Sequence, residues 1–305
     1  MPPMSTAAFA ATPAGSAFYR AYDRVLAKWP VEVTGIDLES AHGTTRVNVC
    51  GPADAPPVVL LPGGGSTSTV WFANVAALAE RHRVFAVDLL GDAGRSAVGA
   101  TPPRTTADLT TWLDTVVTQA GLDEFGLVGH SYGAMIALAY ALREPGRVQN
   151  LVLLDPNSCF ARMRAQYLAH ALPLLMRPTE SRQRDFIRWE SDGRGVDEDW
   201  LELVSLGAAY FPKSKTFVPK RPSRDVLATL TPATTVLLAA GSKVHDSRKL
   251  KSVLAESNPR LRTVILDGAT HHTMPMLPAA ELNGALLGAL SDAAPVADPP
   301  PGPPR

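Results

Sequence analysis

The chain has 305 residues, with 29 basic and 29 acidic side chains and a formal net charge of +0. That length is ample for one large domain with an insertion, or for two domains, and the even balance of charge marks out neither nucleic acid nor an anionic membrane as a partner. No apolar run approaches the roughly 18 residues of a membrane span, and the two cysteines, Cys50 and Cys159, border apolar runs where buried free thiols are expected rather than a disulfide or a metal site.

The N-terminus is alanine-rich from Ala7 to Ala14 but lacks a basic segment and a sustained apolar core. It is not read as a signal peptide, and a cytoplasmic location is expected. Ala14 to Trp29 has the pattern of an amphipathic helix closed by Pro30, and Val31–Leu38 and Thr45–Cys50 read as two strands joined by a turn at His42-Gly43. A strand–helix alternation follows. The strands are Val58–Leu61, Val84–Asp88, Phe125–Val128, Val148–Leu154, Thr235–Ala240 and Arg262–Leu266; the helices are Trp71–Glu80, Thr106–Ala120, Tyr132–Arg143, Ser247–Glu256 and Ala279–Leu290. Short Val/Leu-rich strands, apolar on both faces and separated by helices, predict an α/β fold with a mostly parallel sheet and right-handed crossovers.

One interval breaks this rhythm. Between Leu154 and Thr235 lie helix-like runs around Ala161–Leu175, Ser181–Glu190 and Glu198–Ala208. The expected organisation is therefore a core of residues 1–159 and 231–292, a helical cap at 160–230, and a proline-dominated tail at 293–305 that is expected to be disordered. Basic and acidic residues of the insert roughly balance, so its outer face reads as simply solvated. Its aromatic residues, such as Tyr167, Trp189 and Trp200, read first as packing of the cap and second as a pocket lining.

The chemistry centres on Gly129-His130-Ser131-Tyr132-Gly133. An apolar strand runs into it and a helix runs out, the layout of a nucleophile elbow. The turn forces the serine into a strained conformation, and glycines two before and two after leave room where side chains would collide. A serine hydroxyl needs a base within hydrogen-bond reach, and the base needs an orienting acid. The loop Gly268-Ala269-Thr270-His271-His272 follows the last strand and supplies the base. His271 is preferred for its spacing from Gly268, with His272 as the alternative, since adjacent side chains point in different directions.

The acid is sought between serine and histidine in sequence, and two aspartates at strand ends qualify. Asp246, in Gly241-Ser242-Lys243-Val244-His245-Asp246, is preferred; Asp155 is the alternative, its structural reading being an anchor for the cap, helped by Pro156. Backbone amides of Gly64, in Leu61-Pro62-Gly63-Gly64-Gly65, and of Tyr132 are the expected oxyanion donors. Asp88 to Ser96, rich in glycine and charge, is expected to shape its loop rather than react. No metal-ligand spacing is found, and no Lys-Ser/Thr pair follows the glycines to make a phosphate loop.

With these pieces in order, the chain resembles the α/β-hydrolase fold superfamily from roughly Val31 to Leu290. Two departures stand out: Pro62 occupies the place where many members carry histidine before the oxyanion glycines, and Val244 the usual place of the acid, two residues before Asp246. The chain resembles a subgroup of bacterial carboxylesterases with a similar Gly-x-x-Val-x-Asp arrangement and a Gly-Asp in the loop after the second core strand, and that resemblance implies Asp246. The expectation is a serine hydrolase that cleaves a small-molecule carboxylic ester through an acyl-enzyme, with Ser131 as nucleophile and no cofactor. The alternatives are another bond on the same site (thioester, lactone or carbon–carbon hydrolysis, or cofactor-free perhydrolysis) and, from another class, a catalytically weak ligand-binding module on the same fold. Chain length and composition leave the oligomeric state open.

Overall fold

A computed structural model describes residues 4–212, 214 and 217–291. The segment 293–305, expected to be disordered, lies outside the described residues. In chain order the elements are α1 (Thr6–Ala10), α2 (Pro13–Leu26), β1 (Thr34–Ser40), β2 (Gly43–Cys50), β3 (Pro57–Leu61), α3 (Val75–Ala79), β4 (Arg83–Val87), β5 (Ala97–Val98), α4 (Thr106–Gln119), β6 (Phe125–His130), α5 (Tyr132–Arg143), β7 (Val148–Leu154), α6 (Ala165–Met176), α7 (Glu180–Glu190), α8 (Glu198–Tyr210), α9 (Arg224–Ala228), β8 (Ala233–Ala239), α10 (Ser247–Ser257), β9 (Arg262–Leu266) and α11 (Ala279–Ser291).

The sheet runs in the order β1-β2-β4-β3-β6-β7-β8-β9, with the short β5 beside β2. The β1–β2 and β2–β4 pairs are antiparallel, and every pair from β4 through β9 is parallel. This is the mostly parallel α/β sheet that the apolar runs predict. The inner strands are buried on both faces: all of β6 is buried, as are Val58–Leu61 of β3 and Leu151–Leu154 of β7. Each such Val or Leu contributes roughly 1.5–3 kcal/mol by leaving water. Two core clusters result, one on each face of the sheet, with Trp71, Tyr22 and Leu286 in one and Trp112, Leu113 and Tyr140 in the other.

Helix α5 is apolar nearly all round, and Tyr132 through Leu138 are buried. A helix with no solvent face is one held by the core rather than by its own propensity, so its first residue, next to Ser131, is fixed in place. The helix expected at Trp71–Glu80 is divided: a 3₁₀ segment covers Ser68–Ala73, and α3 begins only at Val75. The buried Asn74 sits at the break, where its amide donates to Asn283 Oδ1 of α11 at 2.8 Å. A side chain drawn into a tertiary hydrogen bond has here overridden local helix periodicity.

Four helices, α6 to α9, lie between β7 and β8, where a helical insert is expected. The N-terminal α2 packs on α8 of this insert. Lys28 pairs with Asp197 and Asp199, Arg24 pairs with Asp199 and Glu202, and Phe9 and Phe18 meet Phe211 edge-on or tilted. The insert is thus clasped between the carboxyl ends of the strands and the N-terminal helices. Among the described residues no helix is long and apolar enough to cross a membrane.

Candidate active site

Ser131 stands between the last residue of β6 and the first of α5, with φ 51° and ψ −109°. A non-glycine residue pays a steric cost there, and the glycines on either side explain why the turn closes nonetheless. A Cβ on Gly129 would lie 2.5 Å from the Gly133 carbonyl oxygen, and one on Gly133 would lie 2.4 Å from that of Leu61. The sharp turn therefore presses its backbone directly on β3 and on the start of α5.

The hydroxyl of Ser131 donates to His271 Nε2 at 2.8 Å, and His271 Nδ1 donates to Asp155 Oδ2 at 2.7 Å. All three side chains are buried: Ser131 is 7 % exposed, His271 3 % and Asp155 0 %. Asp155 follows β7 with φ 37°. Its Oδ2 also accepts from the Ser242 hydroxyl at 2.7 Å, and its Oδ1 from the Ala239 amide at 3.1 Å. His245 Nε2 lies 3.0 Å from the same Oδ1, within ion-pair distance but off the line of a well-formed hydrogen bond. Burial by itself would raise the Asp155 carboxyl; His245 and His271 outweigh it and hold the group well below the usual carboxylate range. Burial works against a charge on His271 too, but Asp155 and then Glu190 overcome it and raise the imidazole above its ordinary value.

Asp246, the preferred acid in the sequence, is elsewhere. It is the N-cap of α10: its side chain accepts from the Lys249 amide at 3.0 Å, pairs with Arg164 at 3.2 Å and is half exposed. The chain after β8 turns His245 inward to Asp155, so the next residue faces out and starts the helix. The alternative, Asp155, is the carboxylate beside His271. His272, the alternative base, does not meet Ser131 through a hydrogen bond; its Nδ1 donates to Glu190 Oε2 at 3.1 Å.

The glycine loop reaches the elbow as expected. A Cβ on Gly63 would lie 3.4 Å from Ser131 Cβ, and one on Gly64 would lie 3.5 Å from Tyr132 Cβ. Among the described residues neither the Gly64 nor the Tyr132 amide has a protein acceptor, whereas the Gly65 amide donates to Asp92 Oδ2 at 2.6 Å. Asp88 accepts from the Ser68 and Arg95 amides and from the Tyr22 hydroxyl. The loop from Asp88 to Ser96 thus shapes the site through its carboxylates. A narrow cavity of about 40 Å³ opens on Ser131 and His271; Val70, Ile187, Trp200 and Val204 give it an apolar wall.

The model of the alpha/beta hydrolase family matches residues 58–285, most of the chain. The chain belongs to the alpha/beta hydrolase family. Among curated proteins, this chain is similar to carboxylesterase YbfK of Bacillus subtilis (strain 168), at 35% identity over 182 residues, which cover 59% of this chain and 60% of YbfK. The uncharacterized carboxylesterase nap of the same organism is 30% identical over 182 residues, covering 60% of this chain and 59% of nap. The chain thus spans about three-fifths of the length of these curated relatives. Among solved structures, carboxylesterase CesB (YbfK) superposes with a TM-score of 0.84 at 25% identity, over 92% of this chain and 99% of CesB. Naproxen esterase from Bacillus subtilis superposes with a TM-score of 0.84 at 24% identity, over 91% and 98%.

Three residues around Ser131 and His271 have no role in the sequence reading. His130 Nε2 donates to the His271 carbonyl oxygen at 2.9 Å, and burial followed by the nearby His271 pushes the His130 imidazole down to about 3, so it is neutral. Its position inside the elbow was a signal available in the sequence. His245 lies in the same loop as Asp246, immediately before it in sequence. Glu190 ends a helix that reads as polar, and nothing local marks it as buried. Among the described residues no group of three or more His, Cys, Asp or Glu is arranged to hold a metal ion.

Proposed function

We propose that the protein is a serine hydrolase that cleaves a small carboxylic ester through an acyl-enzyme, with Ser131 as nucleophile, His271 as general base and Asp155 as the orienting acid. The observation that carries this reading is the unbroken chain from Ser131 Oγ to His271 Nε2, 2.8 Å, and from His271 Nδ1 to Asp155 Oδ2, 2.7 Å. The name carboxylesterase, borne by YbfK, supplies the ester as the bond.

Ser131 Oγ attacks the acyl carbon while His271 Nε2 takes its proton. Asp155 keeps the other proton on Nδ1 and stabilises the imidazolium that forms. The Gly64 and Tyr132 amides donate to the oxygen that becomes negative. The tetrahedral centre collapses, His271 returns its proton to the departing alcohol, and the acyl group remains on Ser131. Water, deprotonated by His271, then attacks the ester of Ser131 and releases the acid. Every proton in this cycle passes through His271, so no cofactor is required. The apolar wall of the cavity, formed by Val70, Ile187, Trp200 and Val204, suits the uncharged body of an ester.

The test is a panel of p-nitrophenyl esters from acetate to octanoate, with a thioester and a lactone of matched acyl length. Turnover of one or more of the p-nitrophenyl esters, lost in Ser131→Ala, is expected. Turnover of the thioester or lactone alone would move the assignment to that bond, and no turnover of any would favour a binding module.

A further inference from the structure

Glu190 is the last residue of α7 and is fully buried. Neither circumstance favours a carboxylate. Burial penalises the charge, and the C-terminal end of a helix is the negative end of its dipole. What compensates is a set of four donors, all from residues 270–272. Oε1 accepts from the His271 amide at 2.9 Å; Oε2 accepts from the His272 amide at 2.9 Å, the Thr270 hydroxyl at 3.0 Å and His272 Nδ1 at 3.1 Å. Burial would raise the Glu190 carboxyl, but His272 and then His271 take it down to about 2, so it is ionised throughout the working range.

We propose that Glu190 is a positioning residue for His271: a carboxylate carried by the inserted helices that fixes the backbone of the base and places a second negative charge beside it. This role rests on the reading of His271 as the general base. The His271 backbone is then held at both ends, its amide by Glu190 and its carbonyl by His130, while Asp155 holds the ring. Helix α7 also contributes Gln183 and Ile187 to the cavity wall. One element therefore lines the cavity and grips the base, so the seating of the inserted helices and the alignment of His271 are coupled.

The groups that face His271 come from every element around it. They are Asp155 after β7 with His245 behind it, His130 from β6, Glu190 from α7, His272 from the same loop, and Tyr167 from α6, whose ring centroid is 6.2 Å away. Arg194, beyond α7, donates to the Gly268 carbonyl oxygen of the loop. Asp155 and Glu190 are the anions of this set. Loss of the Glu190 charge makes the imidazolium less favourable, so His271 gives up its proton at lower pH, and activity persists further into acid.

The experiment compares wild type, Glu190→Gln and Glu190→Asp on p-nitrophenyl acetate between about pH 4.5 and 9. It is paired with an NMR titration of the His271 imidazole in a Ser131→Ala background. For Glu190→Gln the expected result is kcat lowered about tenfold or more, KM within about twofold, and both the acid limb of kcat/KM and the His271 titration moved to lower pH. Glu190→Asp keeps the charge, so its titration stays nearer wild type. A folded Glu190→Gln with wild-type kcat overturns the proposal, as does a loss of kcat with the His271 titration unmoved. If Glu190→Gln does not fold, Glu190→Asp decides: a lower kcat at unchanged KM supports the role, and wild-type kcat overturns it. If the wild type hydrolyses no ester while the His271 titration still falls in Glu190→Gln, the hydrolase reading fails and the contact between Glu190 and the His271 loop stands.

Discussion

Replacing Asp155 by asparagine exchanges one carboxylate oxygen for an NH₂ group, and the surroundings define the cost. The carboxylate oxygens accept from His271 Nδ1, the Ser242 hydroxyl and the Ala239 amide, and His245 Nε2 stands 3.0 Å from Oδ1. Asparagine keeps one acceptor oxygen. If it serves the Ala239 amide, the new NH₂ group points at His271 Nδ1. Two donors then meet, and His271 relieves the clash by moving its proton to Nε2, the atom that has to accept from Ser131. The base is lost in the ground state, and so is the charge that stabilises the imidazolium. Loss of the acid in this way costs about 10³- to 10⁴-fold in kcat, or roughly 4 to 5.5 kcal/mol at about 1.36 kcal/mol per factor of ten. Asp246→Asn is the matched control. Asparagine caps a helix about as well as aspartate, and the half-exposed ion pair with Arg164 is worth less than about 1 kcal/mol. Its kcat is expected within about twofold of wild type. Initial rates on p-nitrophenyl acetate, with thermal unfolding as a check on folding, separate the two. Near-normal turnover in Asp155→Asn with loss in Asp246→Asn would refute this placement of the acid.

Three further outcomes follow from the same geometry. The His271 imidazole is raised by Asp155 and Glu190 against the effect of burial, and the base works only when neutral. The acid limb of kcat/KM should therefore lie above the ordinary histidine value of about 6.5; a limb at or below that value contradicts the electrostatics. Gly133→Ala would put a Cβ 2.4 Å from the Leu61 carbonyl oxygen and 2.5 Å from that of Pro62. Backbone yields little, so destabilisation of about 1–3 kcal/mol or more and loss of activity are expected, read by denaturant unfolding and ester turnover; a variant with wild-type stability contradicts the close packing. Cys50 and Cys159 are buried free thiols, and burial pushes them up to about 11 and about 12. Neither should react with a thiol-specific disulfide reagent in the native protein at neutral pH, and both should react on unfolding.

The elbow is legible in the sequence because its requirements are local. Gly129 and Gly133 touch backbone, and only glycine fits. The strands are legible because burial on both faces leaves Val and Leu at consecutive positions. The acid is not legible in the same way, because its choice depends on strand order. Asp155 and Asp246 both follow apolar strands, but β7 lies beside β6 in the sheet and β8 lies one place further out. Asp155 is thus one strand from Ser131. The largely charged and polar segment Glu180–Glu190 hides the burial of Glu190, since its partners are 80 to 82 residues away. The charge balance of the insert was similarly silent about where its charges go. Asp197, Asp199 and Glu202 meet Arg24 of α2 and Lys28 just after it, so part of that face is a contact with the N-terminal segment rather than solvated surface.

The central claim is that Ser131 is the nucleophile. A fluorophosphonate probe tests it most directly, because the probe bonds only to an activated serine oxygen. Native protein is treated with the probe, weighed intact and digested to locate the adduct, with Ser131→Ala and heat-unfolded protein alongside. One adduct on Ser131, with ester hydrolysis lost in step with labelling and no adduct in either control, is the expected result. Folded protein that carries no adduct on Ser131, or a Ser131→Ala variant that hydrolyses esters at the wild-type rate, would contradict it.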